Sequence, residues 1–145
     1  MYFQDLHMMI KINKKIPGYT LTEILVVLVI IGILVLLALP NLLPLITKAK
    51  STEAKIQLEH LHTQEKNYFY EKSKYNTDLV ELGFIQEKLT TEGKDGRANY
   101  RIEVVQASNT SFIARATAVV DFNGNGIYNV WEIDQDKNLR EVTPD

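Results

Sequence analysis

The hydropathic pattern of the chain changes twice. From Ile24 to Ile46 apolar residues fill every helical face, and no formal charge falls between Glu23 and Lys48. A helix that is apolar all round is buried in lipid or in a bundle, and this one exceeds the roughly 20 residues that cross a bilayer. From Lys48 to Lys72 the pattern becomes one-sided. Ala54, Leu58, Leu61 and Tyr68 recur at near-helical spacing, while Lys55, Glu59, Glu65 and Lys66 are assigned to the solvent side. Beyond Tyr75-Asn76-Thr77-Asp78, which breaks the helix, strand-like runs follow: Tyr100 to Val105, Phe112 to Val119, Val130 to Ile133 and Leu139 to Val142. Gly93-Lys94-Asp95-Gly96, Ser108-Asn109-Thr110 and Asp134-Gln135-Asp136-Lys137-Asn138 supply turn chemistry between segments. The expected fold is α+β: one long helix on a small antiparallel sheet.

Two features should disturb the helix. Gly32 weakens it by about 1 kcal/mol, and Pro40 and Pro44 each remove an intrahelical hydrogen bond. The expectation is a bent or melted stretch between Gly32 and Pro44. Tyr68, Phe69, Tyr70 and Tyr75 are expected to pack against the sheet. His60 and His62 are two apart on a helix, point in different directions, and are read as a solvated face.

Charge and composition narrow the classes. The formal net charge is −2. Residues 1–18 carry Lys11, Lys14 and Lys15 against Asp5, a balance of +2, so their removal would leave −4. Nucleic-acid binding by bulk positive charge is excluded on that ground. The lysines before the apolar run place it with its N-terminal end in the cytoplasm and the remainder outside. There is no cysteine, so no disulfide fixes the C-terminal region.

The stretch Asp121-Phe122-Asn123-Gly124-Asn125-Gly126-Ile127-Tyr128-Asn129-Val130-Trp131-Glu132 fills every position of the calcium-loop pattern D-x-[DN]-x-[DN]-G-x5-E. Asp121, Asn123 and Asn125 would give side-chain oxygens, Ile127 its carbonyl, Asn129 a contact through water, and Glu132 a bidentate carboxylate. The flanks read as strands, so this is an EF-like loop between strands. The alternative is a Gly/Asn-rich turn that binds nothing. No nucleophile–base–acid set and no phosphate-binding glycine loop can be read from the chain, which is not expected to be an enzyme.

The segment Lys14-Lys15-Ile16-Pro17-Gly18-Tyr19-Thr20-Leu21-Thr22-Glu23 stands directly before the apolar run. A carboxylate at the start of a membrane span costs at least ~2.5 kcal/mol unless partnered, which marks Glu23 as functional. This segment resembles the N-terminal signal of type IV pilins and of the pseudopilins of type II secretion. The resemblance implies cleavage after Gly18 by a prepilin peptidase and N-methylation of the new first residue, Tyr19. Glu23 then matches the family's acid, and Gly32 and Pro40 match its helix-loosening glycine and proline. Tyr19 departs from the commoner Phe or Met. Glu65-Lys66-Asn67-Tyr68-Phe69-Tyr70, with Tyr75 and Leu82-Gly83-Phe84, also resembles the helix-to-loop passage of many type IV pilins.

The organisation expected is a leader at 1–18, a transmembrane and assembly half-helix at 19–47, an amphipathic half-helix at 48–72, and a globular β domain at 73–145. The resemblance implies a filament subunit that assembles with copies of itself on an inner-membrane platform. It would pass from a single-pass membrane protein to a periplasmic or extracellular fibre. A pseudopilin is the nearest alternative, although the Pro-Trp-Gly-Asn-Pro-like loop of major pseudopilins is missing. An alternative of another class is a membrane-anchored, calcium-dependent binding module that never polymerises.

Overall fold

The computed structural model describes residues 17–145; the expected leader up to Ile16, with Lys11, Lys14 and Lys15, lies outside the described residues. Helix α1 runs Leu21–Lys72 and is followed by β1 (Tyr100–Ala107), β2 (Phe112–Ala118), β3 (Val130–Asp134) and β4 (Leu139–Thr143). The strands form one antiparallel sheet in the order β1-β2-β3-β4. The chain divides into two compact units, residues 1–37 and Ala38–Asp145.

In the first unit no other described element packs on the helix. Every side chain from Leu21 to Leu37 is exposed, Leu28 to 60% and Leu34 to 61%. No melted stretch interrupts the helix between Gly32 and Pro44: α1 is continuous through Gly32, Pro40 and Pro44. A proline removes one donor and crowds one carbonyl, and the surrounding ladder holds the helix across it. Just beyond Pro44, the Thr47 hydroxyl donates to the Leu43 carbonyl at 3.4 Å.

In the second unit α1 lies against the sheet. Ala54, Leu58 and Leu61 are fully buried, and Tyr100, Ile102, Val104, Phe112, Ala114, Ala116, Ala118 and Ile133 meet them. The inward positions of β2 alternate strictly, and three of its four are alanine. Those alanines, Ala54 and the larger rings of Tyr100 and Phe112 belong to one buried cluster. Glu53 fastens the helix to the entry of β1, accepting from the Asn99 backbone N–H and Nδ2, both at 2.7 Å. Gln86 bonds the backbone at the outer edge of β1, donating to the Tyr100 carbonyl at 3.1 Å and accepting the Ile102 N–H at 2.8 Å. That gives partners to a strand edge otherwise open to another chain.

Two residues depart from the polar face assigned to them. Glu65 is fully buried, and His62 is buried against Phe112, with its Nε2 3.3 Å from the Gln135 carbonyl oxygen. Near-helical spacing marked an apolar stripe, but the segment after the helix and the β3–β4 turn cover more of the circumference than that stripe. His60 stays exposed and edges Phe84. Of the aromatic cluster, Phe69 and Tyr75 stack at 4.9 Å and Tyr75 meets Phe112, whereas Tyr70 is 79% exposed.

Candidate processing and assembly site

Gly18 and Tyr19 lie in non-helical chain directly before α1, and both are exposed. A peptide bond there is open to a peptidase, because none of its backbone groups is tied into the helix. Thr20 is the N-cap. Its Oγ1 accepts the Glu23 N–H at 3.2 Å, and its own N–H donates to Glu23 Oε2 at 2.7 Å. This reciprocal pair is a capping box, in which two of the orphan donors of a helix start find partners. The carboxylate also sits at the end of the helix where the macrodipole favours negative charge. Glu23 Oε1 has no hydrogen-bond partner among the described residues. Tyr19, Thr22, Glu23, Val26 and Val27 line a shallow, mainly apolar hollow. The acid is therefore oriented by its own chain and still has an oxygen to offer. The Thr20–Glu23 spacing is legible in the sequence as T-x-x-E, the signature of this cap. Gly32 faces open space, with nothing for an added Cβ to meet, and Pro40 stands inside the helix.

The calcium-loop residues are divided rather than gathered. Asp121 opens the loop and accepts N–H groups from Gly124 at 2.6 Å, Asn125 at 3.3 Å and Gly126 at 2.6 Å. Its carboxyl is lowered below the usual range, chiefly by the Gly126 bond. Asn123 Oδ1 accepts the Asn125 N–H, and Asn125 Oδ1 accepts the Ile127 N–H. The other two side chains of the pattern are committed elsewhere. Asn129 is fully buried: its Oδ1 accepts from Tyr100 Oη at 2.7 Å and Trp131 Nε1 at 2.8 Å, and its Nδ2 donates to Glu141 and to the Thr143 carbonyl. Glu132 is buried on β3. Its Oε1 accepts from Arg115 of β2 and its Oε2 from Arg140 of β4, at 2.7 Å and 2.9 Å at the closest. Burial alone would raise the Glu132 carboxyl, but the two guanidinium groups outweigh it and the net shift is downward.

The six expected ligands, Asp121, Asn123, Asn125, Ile127, Asn129 and Glu132, are thus not assembled as one cage. Withdrawing Glu132 to bind an ion would break its pairs with Arg115 and Arg140, and withdrawing Asn129 would take partners from the buried Tyr100 and the half-buried Trp131. The arrangement does not fit the full calcium loop. In sequence the pattern is complete; in space, strand pairing claims its last residues.

The comparisons with known proteins agree with the N-terminal geometry. Residues 13–39 match the family model described as the prokaryotic N-terminal methylation motif. The chain is 38% identical over 78 residues to the type IV major pilin protein PilA of Myxococcus xanthus (strain DK1622), covering 54% of this chain and 36% of that protein. It is 39% identical over 79 residues to the type II secretion system core protein G of Dickeya chrysanthemi, covering 54% of this chain and 52% of that protein. The chain thus spans about a third to a half of the length of the curated relatives it matches. The capped apolar helix, the antiparallel sheet and the motif together define the class: an α+β chain headed by a prokaryotic N-terminal methylation motif. Over that stretch the chain is similar both to a type IV pilin and to a type II secretion pseudopilin.

Proposed function

We propose that the chain is the precursor of a structural subunit of a type IV pilus-like filament. The observation that carries this is the uncovered apolar half of α1, headed by a capped carboxylate and preceded by an accessible Gly18–Tyr19 bond. A prepilin peptidase hydrolyses that bond, and the new amine of Tyr19 is N-methylated. Before assembly the helix spans the inner membrane, with the leader in the cytoplasm and everything after Lys48 outside. On assembly the helix leaves lipid for a bundle of identical helices, built on an inner-membrane platform. The cationic amine of an incoming copy then meets the free oxygen of Glu23 in a copy already in place, which offsets the cost of burying either charge alone. No catalytic step is assigned to the chain.

The test is to shear cells that produce the protein and determine the mass and N-terminus of what is released. The expected product begins at Tyr19, carries one added methyl group, and sediments as fibres. An uncut chain confined to the membrane fraction would instead support the non-polymerising anchored module. A pseudopilin is a second reading, favoured by the match to the secretion protein of Dickeya chrysanthemi. Fibres short enough to stay in the periplasm, and absent from the sheared fraction, would select it.

A further inference from the structure

The residue the N-terminal site leaves unused is Glu65. It is 0% exposed, in the middle of the packed face of α1. One carboxyl oxygen, Oε2, accepts the backbone N–H of Asn76 at 3.1 Å. The other, Oε1, is buried and has no partner. A buried carboxylate is ordinarily matched by a cation or by several donors, and this one has a single amide. Among large side chains on that face a leucine would pack as well and a glutamine would bond as well, so an acid here costs stability unless its titration is used.

We propose that Glu65 is a proton-operated fastener: protonated, it holds segment 73–84 against α1, and loss of the proton releases that segment. The contact it makes is at the hinge of the segment. Ser73 ends the helix in a left-handed conformation, with φ 57° and its N–H on the Phe69 carbonyl. Two residues on, Tyr75 donates its N–H to the Ser108 carbonyl of the β1–β2 hairpin and stacks on Phe69. Asn76 follows at once, giving its backbone N–H to Glu65 and its Nδ2 to Glu81 at 2.6 Å. Asn76 is thus the residue of the segment that touches the carboxyl directly.

The surrounding charges do not relieve it. On α1, His62 turns to the Gln135 carbonyl and Lys66 Nζ bonds the Tyr75 hydroxyl at 3.0 Å. On the segment itself, Tyr75 is engaged by that lysine, Asp78 caps its own turn through the N–H groups of Val80 and Glu81, and Glu81 faces Asn76 and Tyr68. From the sheet side, β2 brings Phe112, and Asp134 and Lys137 of the β3–β4 turn act on His62. Burial is therefore the main influence on Glu65, opposed only by the Asn76 bond, and pushes its carboxyl up to about 7. Because the folded value lies above the unfolded one, attachment is complete below the ordinary carboxylate range. It is lost as the pH rises through that folded value.

The experiment uses the full chain in detergent micelles. Amide hydrogen exchange, corrected for its intrinsic pH dependence, is followed from about two units below to about two units above neutrality, in the unmodified chain and in Glu65→Gln. In the unmodified chain, protection of residues 73–84 should fall by roughly tenfold or more with rising pH while that of β1–β4 holds. In Glu65→Gln it should stay level. An equal fall in both chains, or none in the unmodified one, overturns the proposal. The carboxyl carbon signal of Glu65 in the unmodified chain is a second measurement that needs no variant. A midpoint near neutrality is expected, and an ordinary carboxylate midpoint overturns the proposal equally.

Discussion

Helix α1 is one element with two kinds of surface. Around Leu28 and Leu34 its side chains are exposed on every face, whereas Ala54, Leu58 and Leu61 are sealed under the sheet. The backbone hydrogen bonding is the same in both stretches. What differs is commitment. The C-terminal stretch has spent its apolar area on partners within its own chain, and its stability is that of a folded domain. The N-terminal stretch keeps its apolar area uncovered, far beyond what an isolated soluble domain exposes, and on the proposed function lipid and then other copies cover it. One stretch answers to packing inside the molecule and the other to assembly outside it, and substitutions should divide along the same line.

The largest separation is expected from Glu23→Ala. The variant should be cleaved and fold normally, yet yield no fibres in the sheared fraction, because the amine of the next copy has lost its partner. Normal fibres would sink the pairing mechanism and leave Glu23 as a helix cap alone.

Within the domain a steep stability loss is expected at Gly96. A Cβ there would lie 1.9 Å from the Leu89 carbonyl oxygen, where Lys88 pairs with Arg97 and Ala98. Backbone must move, so Gly96→Ala should cost on the order of 3 kcal/mol in thermal or denaturant unfolding. An unchanged midpoint would mean that this loop is looser than its hydrogen bonds imply.

A paired truncation sharpens the contrast directly. Leu58→Ala opens a void in the core and should cost ~2–5 kcal/mol, while Leu28→Ala should change domain unfolding by less than about 0.5 kcal/mol. Similar losses from both would show that the N-terminal stretch contributes to folding of the domain after all.

The smallest effect is electrostatic. Glu132 sits in the cross-strand row Arg115–Glu132–Arg140, and its carboxyl is lowered on balance; that of Asp134 is lowered too, its burial outweighed by the Asn138 side chain and backbone bonds. Depressed carboxyls add stability above their unfolded values and lose it as the pH falls through their folded ones, so the domain should weaken below about pH 4. Glu132→Gln should cost about 1 kcal/mol at neutral pH, since both arginines can turn to water, and should blunt the acid response. Millimolar calcium should leave the melting temperature of either protein unchanged. A calcium-dependent rise would restore the ion to the loop at Asp121, Asn123 and Asn125.

Much of this molecule was legible in one dimension. The boundaries of α1 and of the strands follow from local periodicity and turn residues, which act between near neighbours. The N-terminal site is nearly all local as well: Gly18, Tyr19, Thr20 and Glu23 lie within one or two helical turns, so reading their order is almost reading their geometry. The persistence of the helix through Pro40 and Pro44 was not legible, because a break depends on the balance between one lost bond and a ladder of others.

The tertiary structure decided the fate of the polar residues. Glu65 and His62 occupy positions that helical spacing assigned to solvent, and only the fold-back of segment 73–84 and the β3–β4 turn buries them. Asn129 and Glu132 complete a metal-loop pattern in the sequence, yet the register of β2, β3 and β4 places Arg115 and Arg140 beside the acid and Tyr100 beside the amide. The sequence by itself determined where elements begin and end and which surface stays apolar, because propensity and periodicity are local sums. Partners for buried polar groups depend on residues tens of positions away, and those come together only when the chain closes.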